Sequence, residues 1–219
     1  MTRYKFYREH KYVCAAINDV ERLIAKTDFT SASQTEKVKE AFDALFPMLK
    51  SHAEYENTRL HRLLHDKGSD IYKHVEEEHL AYEQKLSDLS KCLMLVSESV
   101  YSEERIELGY ELYLCFRKFA GENLLHLHEE ETIILPELQR LYSDDELARV
   151  EFESYRVMSS EDFVHMMEIL FPHMNSDDRL AFLADIKACD ADRFLRAWQV
   201  IRKQISQDEQ KSIEVKLDI

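Results

Sequence analysis

Two short segments, His52-Ala-Glu-Tyr-Glu56 and His126-Leu-His-Glu-Glu130, repeat one arrangement: a histidine, then a glutamate four residues later. Four residues make about one helical turn, so the two side chains of each pair leave the same helix face. His10 and His79 lie on apolar stripes of their own. Buried without compensation, two carboxylates and four imidazoles would each be costly in a protein core. Imidazole nitrogen and carboxylate oxygen suit first-row metals. A pair of iron ions would turn the cost into coordination bonds, with Glu56 and Glu130 bridging and His10, His52, His79 and His126 as terminal ligands. A lone histidine on an apolar stripe is more often a hydrogen-bonded core residue. Four of them in phase, at compatible heights, call for a stronger explanation.

The elements that must position them follow from periodicity. Phe6, His10, Val13, Ile17, Val20 and Ile24 alternate in steps of four and three, as one helix face does. Leu45, Leu49, His52, Glu56, Arg59 and Leu63 do the same, as do Tyr72, Val75, His79, Tyr82, Leu86, Leu89, Leu93 and Val96. The fourth stripe runs Leu108, Leu112, Cys115, Phe119 and, after a skip across Glu122 and Asn123, His126, Glu130 and Ile133. His61 and His65 fall out of phase with Arg59 and Leu63. His74 lies off its stripe, and His128 points well away from His126. His165 and His173 receive no role.

Three glycines, three prolines and long helical-period stretches predict an all-α chain. Residues 27–35 form a polar connection that ends in a cap for the second helix. Gly68 closes that helix, with Ser69 or Asp70 capping the next, and residues 97–102 separate the third from the fourth. His10 and His52 sit equally far from the connection between Lys26 and Glu36, so an up-down-up-down four-helix bundle brings them to one height. Residues 1–142 are expected to form this bundle. Residues 143–219 are a helical extension, with three shorter helices over 160–171, 176–188 and 192–206. Its Phe163, Met166, Met167, Leu170, Leu180, Leu183, Phe194 and Trp198 suit packing on the bundle, on a protein partner or on a second copy.

A net charge of −14 disfavours nucleic acid and anionic membrane as partners. No continuous apolar stretch approaches a spanning length, so a cytoplasmic location is expected. Cys14, Cys92, Cys115 and Cys189 are far apart in sequence and read as four reduced thiols.

Arg-Glu-His10-Lys, His52-x-x-x-Glu56, Glu-Glu-Glu-His79 and His126-x-x-x-Glu130 followed by Ile-Leu-Pro136 resemble the hemerythrin-like (HHE cation-binding) domain over roughly residues 4–142. The resemblance implies a non-haem di-iron centre, oxo- or hydroxo-bridged, held by those same six residues. The tail is similar to the helical extension that follows this domain in many bacterial proteins. One position departs: oxygen-carrying hemerythrins have a second histidine one turn before the third-helix ligand, where this chain has Val75. An iron there keeps an open position, or a neighbour such as Glu76, Glu78 or a tyrosine fills it.

Three classes of function follow: a module sensing iron or oxygen, a di-iron oxidoreductase acting on oxygen, peroxide or nitric oxide, and a structural or storage protein. The chain has no phosphate loop or nucleophile motif, which favours the first. A ferritin-like site needs two Glu-x-x-His motifs, and only Glu76-x-x-His79 qualifies.

Overall fold

The computed structural model describes residues 9–219, except for the side chains of residues 72–83. Among the described residues every regular element is helical: α1 (His10–Lys26), α2 (Ala32–Tyr55), α3 (His61–Asp66), α4 (Tyr72–Glu98), α5 (Ser102–Glu129), α6 (Leu135–Leu141), α7 (Asp144–Val157), α8 (Ser160–Leu170), α9 (Ser176–Cys189), α10 (Ala191–Ile201) and α11 (Gln207–Leu217). The chain divides into a larger unit, Cys14–Tyr142, and a smaller one made of Met1–Val13 with Ser143–Ile219.

The stripes on α1, α2 and α4 bury as their spacing predicts. Val13, Ile17, Val20 and Ile24 are inside, with Leu45 and Leu49 of α2 and Leu86, Leu89, Leu93 and Val96 of α4. Each such aliphatic side chain contributes about 1.5–3 kcal/mol when removed from water. Within the larger unit α4 packs on α5 and α2 on α4, and the rings of Phe42 and Phe116 meet at 5.5 Å. Phe6, Tyr72, Val75 and Tyr82 lie outside the described side chains.

On α5 the expected stripe is displaced. Gly109, Leu112, Phe116, Phe119 and Asn123 are buried, while Cys115 is exposed and Leu108 half-buried. Helical period 3.6 outruns alternating steps of three and four over so long a helix, and Phe116 offers more apolar surface than Cys115. Turned outward, Cys115 comes within 4.0 Å of Cys92 on α4, so these two thiols are neighbours although far apart in sequence. All four cysteines are free, and burial, with the neighbouring Cys115, pushes the Cys92 thiol up to about 11.

Helix ends differ from expectation where local bonds compete. α2 begins at Ala32 after Ser31, so Ser33, Gln34 and Thr35 are helical rather than linker. Gly68, at φ +65°, closes α3 through a pair of bonds, Gly68 N–H to His65 C=O and Ser69 N–H to Leu64 C=O. Ser69 thereby does not cap α4. Its hydroxyl donates instead to Glu137 at 2.9 Å, and Ile71 precedes the helix without a side-chain cap.

The smaller unit holds five helices beyond residue 142 where three are expected. Its core joins Phe163, Met167, Leu183, Phe194 and Trp198, with Met166 and Leu180 only half-buried. Arg179 donates twice to Glu209 at 2.9 Å, tying α9 to α11. In the same unit, Lys11 and Tyr12 donate to Asp178.

Candidate metal centre

His52 closes α2 and Glu56 follows it. The His52 Nε2 to Glu56 Oε1 distance is 3.1 Å, and the second pair, His126 and Glu130, repeats the contact at 3.4 Å. His10 opens α1 and is buried. Glu56 and Glu130 are 1% and 0% exposed, a burial that ionised carboxylates tolerate only beside positive charge or strong donors. Glu56, His126 and Glu130 each offer one ligand atom within 4.8 Å of the others. Glu56 thus lies beside His52 as well as beside the second pair. A carboxylate has two oxygens, so one placed between two imidazoles can serve two cations. The donors are all imidazole nitrogen and carboxylate oxygen, which fits iron, manganese or zinc.

Each glutamate opens a π-helical turn, Glu56–Leu60 in the first segment and Glu130–Ile134 in the second. Such turns are rare and concentrate at functional sites. Both contain a threonine two residues after the glutamate. The Thr58 hydroxyl donates to Glu54 C=O and the Thr132 hydroxyl to His128 C=O, each at 2.7 Å. Those carbonyls would accept only an amide in an unbroken α-helix, and hydroxyl back-bonding of this kind bends helices.

The extra residue in each turn shifts the buried face by one position. The periodicity predicts Arg59, Leu63 and Ile133 as inward. Leu60, Leu64 and Ile134 are buried instead, while Arg59 and Leu63 are half-buried and Ile133 is 45% exposed. His61, out of phase in a regular helix, is buried as well. Its Nδ1 lies 3.2 Å from Asn57 Oδ1 and its Nε2 4.0 Å from Glu130 Oε1. Sequence reasoning missed it because a strict helical period was carried through Glu56. The shared Glu-x-Thr-x-[Leu/Ile] pattern, with a further leucine eight residues after each glutamate, was the available signal.

His128 and His65 are exposed. His79, together with His74, Glu76 and Glu78, lies outside the described side chains.

A buried, carboxylate-sharing set of His and Glu donors at helix ends defines a cation-binding helical domain. The chain belongs to the hemerythrin HHE cation-binding domain family, whose profile matches residues 2–138. It is also similar to the "Uncharacterized membrane protein YobI" of Bacillus subtilis (strain 168), at 27% identity over 112 residues. That match covers 49% of this chain and 9% of the other, so the chain spans less than a tenth of that relative. No solved structure matches. Among the described residues no helix is long and apolar enough to cross a membrane.

Proposed function

We propose that residues 1–142 form an up-down-up-down four-helix bundle holding two iron ions, and that the protein senses iron or a small oxidant through this centre. The observation that carries the proposal is the position of Glu56, beside His52 and grouped with His126 and Glu130. His10 of α1 and His79 of α4 are the remaining proposed ligands. Bound iron would supply redox chemistry and a coordination position for oxygen, nitric oxide or peroxide. The chain's own contribution is placement and exclusion. Two helix ends hold one carboxylate each beside an imidazole, and near-complete burial limits entry to molecules of a few atoms. Residues 143–219 would relay the state of the centre to a protein partner or a second copy, and the expected compartment is the cytoplasm.

Elemental analysis of the purified chain tests the centre: about two iron ions per chain are expected of a carboxylate-bridged pair. Full retention of iron by both His52→Ala and Glu56→Ala would overturn it. Limited proteolysis of the metal-free, ferrous and ferric forms separates sensing from catalysis. A cleavage pattern in residues 143–219 that changes with iron state supports a sensor. An unchanged pattern with turnover of oxygen or peroxide favours the oxidoreductase.

A further inference from the structure

His61 is a buried imidazole beside Glu130 that the H-x-x-x-E spacing does not account for. We propose that it is a further nitrogen ligand on the Glu130 side of the centre, held in its ligating tautomer by Asn57. The proposal rests on the dinuclear reading above.

Three observations converge. First, the amide oxygen of Asn57 can only accept, so at 3.2 Å the Nδ1 of His61 must carry the proton. In the neutral ring this leaves the lone pair on Nε2, the form that binds metal. Second, Nε2 faces Glu130 Oε1 at 4.0 Å. That is too long for a hydrogen bond and within the span of two donors around one cation. Two ligand bonds of about 2.1 Å each span roughly 3–4 Å from donor to donor, depending on the angle at the metal. The observed separation fits two ligands of one cation. Third, the residue reaches this place only because the π turn opened by Glu56 rotates α3. In the second segment the residue five after the glutamate is Leu135, also buried but without a donor. The first segment therefore offers an extra nitrogen with no counterpart in the second, and the two metal positions are chemically unequal.

The test is an anaerobic titration of the metal-free full chain with Co(II), read by its visible absorption, beside the His61→Leu, His61→Ala and Asn57→Ala variants. His61→Leu places at this position the residue its counterpart already has, which guards against misfolding. Thermal unfolding followed by circular dichroism checks each variant. The unmodified chain is expected to take up two equivalents. His61→Leu should keep one and bind the second at least tenfold more weakly. Asn57→Ala should weaken the second roughly tenfold, as loss of an orienting partner does. Added imidazole should restore the second equivalent to His61→Ala but not to His61→Leu, a rescue that a purely structural histidine would not show. Two equivalents bound by His61→Leu with unchanged affinity would overturn the role of His61 and leave the dinuclear centre standing. Absence of binding by the unmodified chain would overturn both.

Discussion

Helix beginnings separate the two units. In the smaller unit each of α7 to α11 starts at a side chain, Ser143, Ser159, Asn175, Asp190 or Ser206, that accepts the amide three residues on. In the larger unit none of α2, α4 and α5 has such a bond, and α3 and α6 continue directly from the π turns. The helices of the smaller unit run 11 to 14 residues, whereas α2, α4 and α5 run 24 to 28. Short helices scarcely offset the cost of nucleation, and a cap is worth about 1 kcal/mol to each. Long helices gain more from side-to-side packing, and their ends are then free to carry chemistry: His52 and Glu56 stand where α2 ends, His126 and Glu130 where α5 does.

The units also bury carboxylates differently. Glu56 and Glu130 face imidazoles, whereas Glu151 of α7 accepts a hydrogen bond from the Tyr155 hydroxyl at 2.7 Å. Burial, reinforced by Asp185, pushes Glu151 up to about 7. One unit stabilises buried carboxylates with a cation-binding donor set, the other by favouring the protonated form. Glu56→Ala should break this contrast with the largest effect. Removing the shared donor is expected to abolish iron binding and with it the metal-dependent rise in melting temperature, because binding free energy adds to folding free energy. Glu151→Gln should leave iron content unchanged by elemental analysis.

The effect of Glu151 belongs to pH. A folded pKa raised above the unfolded value means the folded chain binds the proton more tightly, so its stabilising contribution is fully present below about 4.5 and is lost as pH rises through about 7. At most about 3 kcal/mol is involved. Urea unfolding at pH 5.5 and pH 8 should show Glu151→Gln gaining relative to the unmodified chain at the higher pH. Equal differences at both would refute the assignment.

How much of this was legible in sequence depended on the element. The caps are written as short motifs, Ser143-x-x-Glu146 and Ser206-x-x-Glu209 among them, yet α7 and α11 escape the periodicity because their buried faces, Leu147 and Tyr155 in one and Ile213 in the other, carry too few apolar residues to show a stripe. The stripes of α1 and α4 were legible because a regular helix keeps its phase. Beyond Glu56 and Glu130 the phase failed, since a single added residue per turn moves every later side chain. The contacts of His52 with Glu56 and of His126 with Glu130 were readable from the four-residue spacing; His61 was not.

Close packing in the larger unit is tested at Gly109. A Cβ there would lie 2.2 Å from Cδ2 and 2.5 Å from Cγ of Phe29, a ring that is itself buried. Gly109→Ala must displace that ring and should cost about 1–3 kcal/mol, as overpacked cores do. In a double-mutant cycle, Phe29→Leu should recover part of the loss. Additive effects would show that the contact is not what limits this site.

The smallest expected effect is the sharpest comparison of the units, because it sets one serine against another. Ser143 and Glu146 form a reciprocal cap: the Glu146 amide donates to the Ser143 hydroxyl at 3.4 Å, and the Ser143 amide donates to the Glu146 carboxylate at 2.8 Å. Ser143→Ala removes the acceptor for the Glu146 amide and should cost about 1 kcal/mol. Ser31 occupies the same position before α2, but its hydroxyl meets Ser33 at 3.2 Å rather than a helix amide. Ser31→Ala should therefore change stability by no more than about 0.5 kcal/mol, the range of a surface substitution that removes no cap. Urea unfolding of both variants decides the matter. Equal losses would mean that the helices of the two units start by the same means, and that length and packing do not distinguish them.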